Sequence, residues 1–480
     1  MTFENTLSAF LPVYILVGGI ILLLLSDIFV KRRGVSFGLT VVTLFSSILG
    51  VYAYDGVLPG DSNFLFGVFY RNFATLMLIG SIFVAFLIYY EFADDWISWD
   101  LGVVYTLMLL SNAGGLLVAS AQNLIPLYIG FELMAIPNYG MVAYKSKERG
   151  ASEAAMKIFL LGALATSLTL FGISLLYGVT GSLAFDTVIA SIISDTSALK
   201  LLASVLLISG VSFKLGLIPF HWWISDVYSG APISIVSFMA ASTKVIGFAF
   251  AFQLFLNAVP SWSDSWVVGF GFLAGITMII GNALGSIQKR VMRIMAYSSI
   301  AQAGYIAMTF INYAQVSDAG LKKGALAAGY IQLIAVVLLK ISALAVVLMV
   351  VKSFGNDNLS NFKGLFKKNV VVASAFTFAL LGLMGIPFIG GAGFLGKALI
   401  ITAAIEAGTT MSVTLAFLLI VGSAISIYYY GILIYNMYKE PEDEKPLMPS
   451  SIMTFVLVLL VVSNIALMLL GEIIPFSKLF

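Results

Sequence analysis

Apolar runs of about 20 residues recur along this chain, from "LPVYILVGGIILLLLSDIF" near its start to "SIMTFVLVLLVVSNIALMLL" near its end. A run of that length crosses the hydrocarbon core of a bilayer as an α-helix, at roughly 1.5 Å per residue. Lipid offers no hydrogen bonds to a backbone, so only helices and closed barrels can span it. Barrel strands are short and alternate in polarity, which these runs do not. Only 10% of the residues are charged, against about 25% in a soluble domain. The chain therefore reads as an all-α polytopic membrane protein.

Fourteen runs can be placed, at 8–30, 34–54, 66–90, 101–119, 121–144, 152–178, 199–225, 232–257, 266–285, 291–313, 325–351, 370–405, 412–438 and 451–472. The twelfth is too long for one straight span and contains "GIPFIGGAGFLGK", so a break is expected there. The segment 184–194, "AFDTVIASIIS", reads as a short interfacial helix. The amino terminus, "MTFENTLSAFLPVY", lacks a positive leader and carries Glu4, so the first run is read as retained rather than cleaved.

Lysine and arginine set the orientation. Fourteen spans place 15 of them on one side: Lys31, Arg32, Arg33, Lys145, Lys147, Arg149, Lys289, Arg290, Arg293, Lys352, Lys363, Lys367, Lys368, Lys439 and Lys445. The other side receives Arg71, Lys200, Lys322, Lys323 and Lys478. The rich side is expected to be cytoplasmic, in a cell inner or plasma membrane, with both termini on the opposite side. A span miscounted early would scramble the later loops and collapse this partition.

Five lysines remain, all within expected spans: Lys157, Lys214, Lys244, Lys340 and Lys397. Glu132, in "IGFELMAIP", is the strongest acidic counterpart. A charge at a helix centre costs roughly 2.5–3.5 kcal/mol on insertion scales, so five unpaired ammonium groups would cost on the order of 12–18 kcal/mol. Burial disfavours the ammonium form and a nearby carboxylate favours it. A buried lysine beside a glutamate thus sits near its switching point, as a proton relay requires. The blander readings differ by residue. Lys157 lies near a helix end and could snorkel. Glu132 and Lys244 could form a structural ion pair. Lys340 has no obvious partner in sequence. His221, the single histidine, could simply sit at the interface.

Spacing adds to this. Lys157 precedes Lys214 by 57 residues, and Lys340 precedes Lys397 by 57. The second member of each pair adjoins a helix-breaking cluster, Pro219 in one case and Pro387 with Gly390, Gly391 and Gly393 in the other. Five spans separate corresponding members, and an odd offset inverts topology, as in transporters with inverted repeats and broken helices. Pro219 should free a carbonyl about one turn back, near Lys214, and open a small hydrated space. Trp222 and Trp223 read as interface anchors. There is no cysteine, which excludes disulfides and thiolate-held iron–sulfur clusters. A single histidine argues against a haem.

Taken together, "FELMAIPNYGMVAY", "SEAAMKIFLLGA", "FKLGLIPFHWWISDVYSGAP", "STKVIGF", "QKRVMRIMAYSSIAQAGY", "DNLSNFKGL" and "GIPFIGGAGFLGK" resemble the antiporter-like membrane subunits of the complex I superfamily, most closely the N-type. The resemblance runs through most of spans 4–13. It implies fourteen helices, two inverted five-helix repeats, and breaks in the seventh and twelfth. On that basis residues 1–98 form an N-terminal three-helix segment, 99–260 the first repeat, 261–440 the second, and 441–480 the last helix. It implies proton translocation in the membrane arm of a redox-driven pump. Glu132 matches the fifth-helix glutamate, Lys214 the seventh-helix lysine, Lys244 the eighth-helix lysine, Lys397 the twelfth-helix lysine, and Lys157 the less central sixth-helix lysine. Lysine at 397 favours the N-type over the M-type, which tends to carry glutamate there. The absence of a long C-terminal lateral helix disfavours the L-type.

Three features depart from the family pattern. Gln302 stands where "YSSIAHxGY" carries histidine, and an amide does not exchange protons as imidazole does. Lys340 has no firm counterpart and is a candidate for the missing central group. The "GIP…GF" segment is about two residues longer than usual. The expected route runs from an entrance near His221 to Lys214, controlled by Glu132, then to Lys244, Lys340 and Lys397. Two charges 4 Å apart at an effective dielectric of about 20 interact by about 4 kcal/mol, enough to switch a lysine. No flavin, iron–sulfur or quinone-like site is visible. Those cofactors are expected in partners: a peripheral redox arm, an adjacent M-type subunit and small K/J/A-type subunits, with lipid around the whole and no nucleic acid. Three alternatives remain open: an Mrp-type cation/proton antiporter subunit, a non-conducting scaffold, and an independent solute symporter.

Overall fold

A computed structural model describes residues 3–30, 32–58, 61–92, 101–145, 149–190, 198–441, 447 and 450–473. Among the described residues, twelve helical segments are long and apolar enough to cross a membrane, from Leu11–Phe29 to Ser451–Leu469. They coincide with twelve of the fourteen expected runs. The other two fall short for identifiable reasons. The fifth, Leu124–Val142, is diluted by Glu132, Asn138 and two prolines. The twelfth is divided into Val370–Met384 and Ala392–Ala407, each too short alone. The chain is thus a nearly all-helical, multi-span membrane protein.

Side chains fix several helix starts. Asn123, Asp318, Asn369 and Thr409 each accept a hydrogen bond from a backbone N–H two or three residues on, which satisfies an otherwise orphaned first-turn donor.

The seventh run divides as expected, into Ala198–Leu215 and Trp222–Gly230. Its break begins earlier than the proline suggested. The helix has already ended at Leu215, and Gly216 takes a left-handed conformation, φ 78°. Gly385 does the same at φ 80° after Met384. In both breaks a glycine turns the chain, two or three residues before the proline. Glycine adopts that conformation without the steric penalty a Cβ incurs.

The eighth run, expected to be continuous, is interrupted twice. It comprises Ile233–Ala240, Ser242–Phe252 and a π-helical turn over Gln253–Ala258. A further departure lies at 55–65, a connection in the span assignment. There Gly56–Leu58 pairs antiparallel with Asp61–Phe66. Phe64 and Phe66 of this hairpin pack edge-on against Phe10, at 5.1 and 5.3 Å. Of the expected interfacial helix, Phe185–Ala190 is helical; 191–194 lie outside the described residues, as do Lys31, Lys147, Lys445 and Lys478.

The chain forms two compact units. The first holds residues up to Leu215 together with Ser242–Gly269; the second holds Gly216–Ala241 and the chain from Phe270 onward. The second unit is built on Ala319–Phe354, a helix of 36 residues, about 54 Å long. Val291–Ala314 and both halves of the divided twelfth span pack on it, and Lys340 on it is fully buried.

Candidate functional site

In the first unit, Lys214 ends Ala198–Leu215 with its Nζ donating to the Tyr139 hydroxyl at 2.8 Å. The ammonium also faces the rings of Phe131 (5.1 Å) and Tyr139 (5.3 Å), a cation–π cage. Tyr139 and Glu132 are seven residues, two turns, apart on the fifth span, so one helix face carries both. Glu132 does not touch Lys214 in this conformation. Its Oε1 accepts from Thr166 Oγ1 of the sixth span at 2.8 Å. Gly162 makes room for the arrangement, because a Cβ there would lie 2.2 Å from the Tyr139 hydroxyl.

Lys244 lies three residues beyond the interruption at Ala241. Polar side chains gather around that interruption. Ser242 Oγ donates to the Met77 carbonyl at 2.9 Å and accepts from Ser81 at 3.0 Å. Thr243 donates to Asn138 at 3.3 Å. Lys157 is a surface residue of its helix. It pairs with Glu153, one turn back on its own helix, at 2.7 Å, and its side chain is 41% exposed.

In the second unit, Lys397 is buried on Ala392–Ala407 and reaches back across the break. Its Nζ donates to the carbonyls of Leu383 (2.9 Å) and Met384 (2.7 Å) and to Ser423 Oγ (3.1 Å). Three acceptors match the three donors of an ammonium. The two carbonyls are the last of Val370–Met384, where orphan acceptors and the negative end of the helix dipole coincide. The two preceding carbonyls are satisfied locally: Ile386 N donates to Leu381 O and Gly385 N to Gly382 O, the glycine-terminated C-cap arrangement. The first half-helix thus presents Leu383 and Met384 to Lys397. Glycine allows the second half to approach this closely, since a Cβ at Gly393 would lie 2.1 Å from the Gly382 carbonyl. The second half starts with Ala392 N donating to Asn464 Oδ1 of the last span at 3.1 Å. A cavity of about 580 Å³ with mainly apolar walls, among them Pro387, Ile401 and Ile420, reaches Lys397 from beside the break.

Lys340 donates to the Met295 carbonyl at 2.9 Å and to Ser298 Oγ at 2.6 Å. These are the partners its sequence neighbourhood did not reveal. Gln302 accepts from Gln332 at 2.8 Å and donates to the Leu383 carbonyl at 3.0 Å. It therefore shares an acceptor with Lys397. His221 packs in the second unit, at the start of Trp222–Gly230, 4.9 Å from the Trp222 ring and 6.3 Å from the Tyr297 ring. Pro219, Pro387, Gly390 and Gly391 lie within the two breaks, whereas Gly393, expected there too, already belongs to Ala392–Ala407. Among the described residues no group of three or more His, Asp or Glu side chains is placed to hold a metal ion.

Charge drew attention to the lysines. Tyr139, Thr166, Ser298, Gln332, Ser423 and Asn464 were missed. Only Tyr139 left a usable signal, its two-turn spacing from Glu132.

Two broken membrane helices, a buried lysine held on carbonyl oxygens and a half-buried one held on a tyrosine hydroxyl mark an antiporter-like membrane subunit. The sequence profile described as "NADH:quinone oxidoreductase/Mrp antiporter, TM" matches residues 121–426, and the chain belongs to this family. Subunit N of NADH-quinone oxidoreductase from Desulfitobacterium hafniense is 35% identical over 439 residues, 87% of this chain and 86% of the relative. F(420)H(2) dehydrogenase subunit N from Methanosarcina mazei is 36% identical over 347 residues, 71% of this chain and 69% of the relative. Among solved structures, a chain of respiratory complex I from Thermus thermophilus superimposes with a TM-score of 0.79 at 29% identity, covering 96% of this chain and 97% of that one.

Proposed function

We propose that this chain is a proton-translocating N-type subunit in the membrane arm of a redox-driven pump. The observation that carries the reading is Lys397, a buried lysine held on the open end of a broken membrane helix. Loss of its proton removes one of three donors and the charge that the helix end attracts, so protonation and the geometry of the break are linked. Lys214 presents the same problem with a different solution, a tyrosine hydroxyl and two ring faces. A rotation of the Glu132 side chain from Thr166 towards Lys214 would stabilise the ammonium and supply a switch. Lys244 and Lys340 are intermediate sites, His221 an entrance group, and Lys157 a peripheral one. Residues 99–260 and 261–440 act as inverted repeats.

Relatives that are subunits of NADH-quinone and F(420)H(2) oxidoreductases support a place in such a complex. Flavin, iron–sulfur clusters and the quinone-like acceptor belong to its other subunits. The lysine- and arginine-rich loops face the cytoplasm.

The test uses the whole complex in sealed vesicles, with Lys214→Met and Lys397→Met. The proton-to-electron ratio is expected to fall in both while the complex assembles normally. Unchanged ratios in both would sink the relay. Cation-dependent proton exchange without a redox substrate would place the chain in an Mrp-type antiporter instead.

A further inference from the structure

Lys340 and Lys397 lie at the two ends of one buried polar series within the second unit. Lys340 donates to Ser298 Oγ, which shares a hydrogen bond with the Tyr430 hydroxyl. Tyr430 and Tyr429 are adjacent, their ring centroids 4.4 Å apart. The Tyr429 hydroxyl donates to Asn282 Oδ1 at 2.9 Å. Asn282 Nδ2 donates to the Tyr305 hydroxyl at 2.8 Å. Lys397 itself donates to Ser423 at this end. The Lys397 ammonium also lies 4.8 Å from the centre of the Tyr305 ring. All but Ser423 are buried.

The stretch through Asn282 has a fixed direction. At the Lys340 end the ammonium can only donate, to Ser298, whose bond with Tyr430 can run either way. At the other end of this stretch Tyr429 gives its own proton to Asn282. The amide cannot turn round, because its Nδ2 also donates to the Met278 carbonyl at 2.6 Å, and a carbonyl can only accept. Nor can it hand a proton on: Oδ1 has none to give, and a proton released by Nδ2 is not replaced from Oδ1. Polarisation passes along linked hydrogen bonds through such a group, but protons do not.

We infer that Asn282 makes this series a charge-coupling link between Lys340 and Lys397 that does not conduct protons, so that Lys340 acts on Lys397 as a positioning residue. This rests on the relay reading above and deepens it. Protons pass from the intermediate sites to Lys397 by a path other than this series, through which the charge on Lys340 sets how readily Lys397 holds its proton.

The experiment measures the initial rate of redox-driven proton uptake by the complete complex in vesicles. The variants are Lys340→Met, Asn282→Leu and the double, with Lys397→Met for reference. Tyr429→Phe keeps the ring and removes only the donor to Asn282, so it serves if Asn282→Leu fails to assemble. Each single variant is expected to be roughly three- to ten-fold slower than wild type, and the double no slower than the slower single, because one series is cut once or twice. Additive losses, or no loss, would overturn the link. Uptake abolished by Asn282→Leu or Tyr429→Phe as fully as by Lys397→Met would show a proton conductor and overturn the insulating role. If Lys397→Met itself pumps normally, the relay reading fails first.

Discussion

At the scale of single residues, the two principal lysines are held by opposite means. Lys397 has three oxygens and a helix end; Lys214 has one hydroxyl and two aromatic faces. Lys214 is therefore the more easily disturbed. A hydrogen bond to a charged group contributes about 1.5–3 kcal/mol, and Tyr139→Phe removes the Lys214 bond while keeping both ring contacts. Proton uptake in vesicles is expected to drop about ten-fold or more, with the yield of assembled complex unchanged; normal uptake would show that the hydroxyl is dispensable. Gly162→Ala should act on the same bond from the other side, since its Cβ would displace the Tyr139 hydroxyl. The lysines were legible in the sequence because a charge in an apolar run is costly and therefore conspicuous. Tyr139, Asn282 and Ser423 were not, because hydroxyls and amides are common in membrane helices and hydrogen-bond locally. Their partners lie on other spans, at separations such as 75 residues for Tyr139 and Lys214.

At the scale of elements, the divided twelfth span depends on its two ends meeting. Gly385 ends the first half in a left-handed conformation, and Asn464 starts the second by accepting from Ala392 N. Losing an N-cap of this kind costs about 0.5–2 kcal/mol, and a buried site leaves the freed N–H without water. Asn464→Leu is expected to lower the thermal midpoint of the complex in detergent and to slow proton uptake more than electron transfer. Equal midpoints and equal uptake would make the cap incidental. The presence of both breaks was readable from proline and glycine, but their starting points were not. Proline disfavours helix and so marks a region, whereas the turn itself is made where a left-handed residue is tolerated, at Gly216 and Gly385. The interruption at Ala241 carried no such marker, having neither glycine nor proline, and the π-turn at Gln253–Ala258 left none either.

At the scale of the whole molecule, span number and orientation are one question, because each span inverts every loop that follows. The lysine and arginine partition assigns the turn after Ser263–Ser286 to the cytoplasmic side and the start of Ala319–Phe354 to the opposite side, with Val291–Ala314 between them. Lys289 and Lys323 mark these two places, and both are exposed. The chain contains no cysteine, so a single introduced thiol reports without background from this subunit. In intact cells, a membrane-impermeant maleimide should label Lys323→Cys and spare Lys289→Cys. In inside-out vesicles the pattern should reverse. Neither substitution removes a residue placed in the relay, so proton uptake should stay near wild type and confirm that the labelled complexes are native. Labelling of both thiols from one side would mean that Val291–Ala314 does not cross, and the fourteen-span reading would fall. Labelling with the sides exchanged would keep the spans but invert the subunit, and the proposed cytoplasmic entrance near His221 would have to move with it.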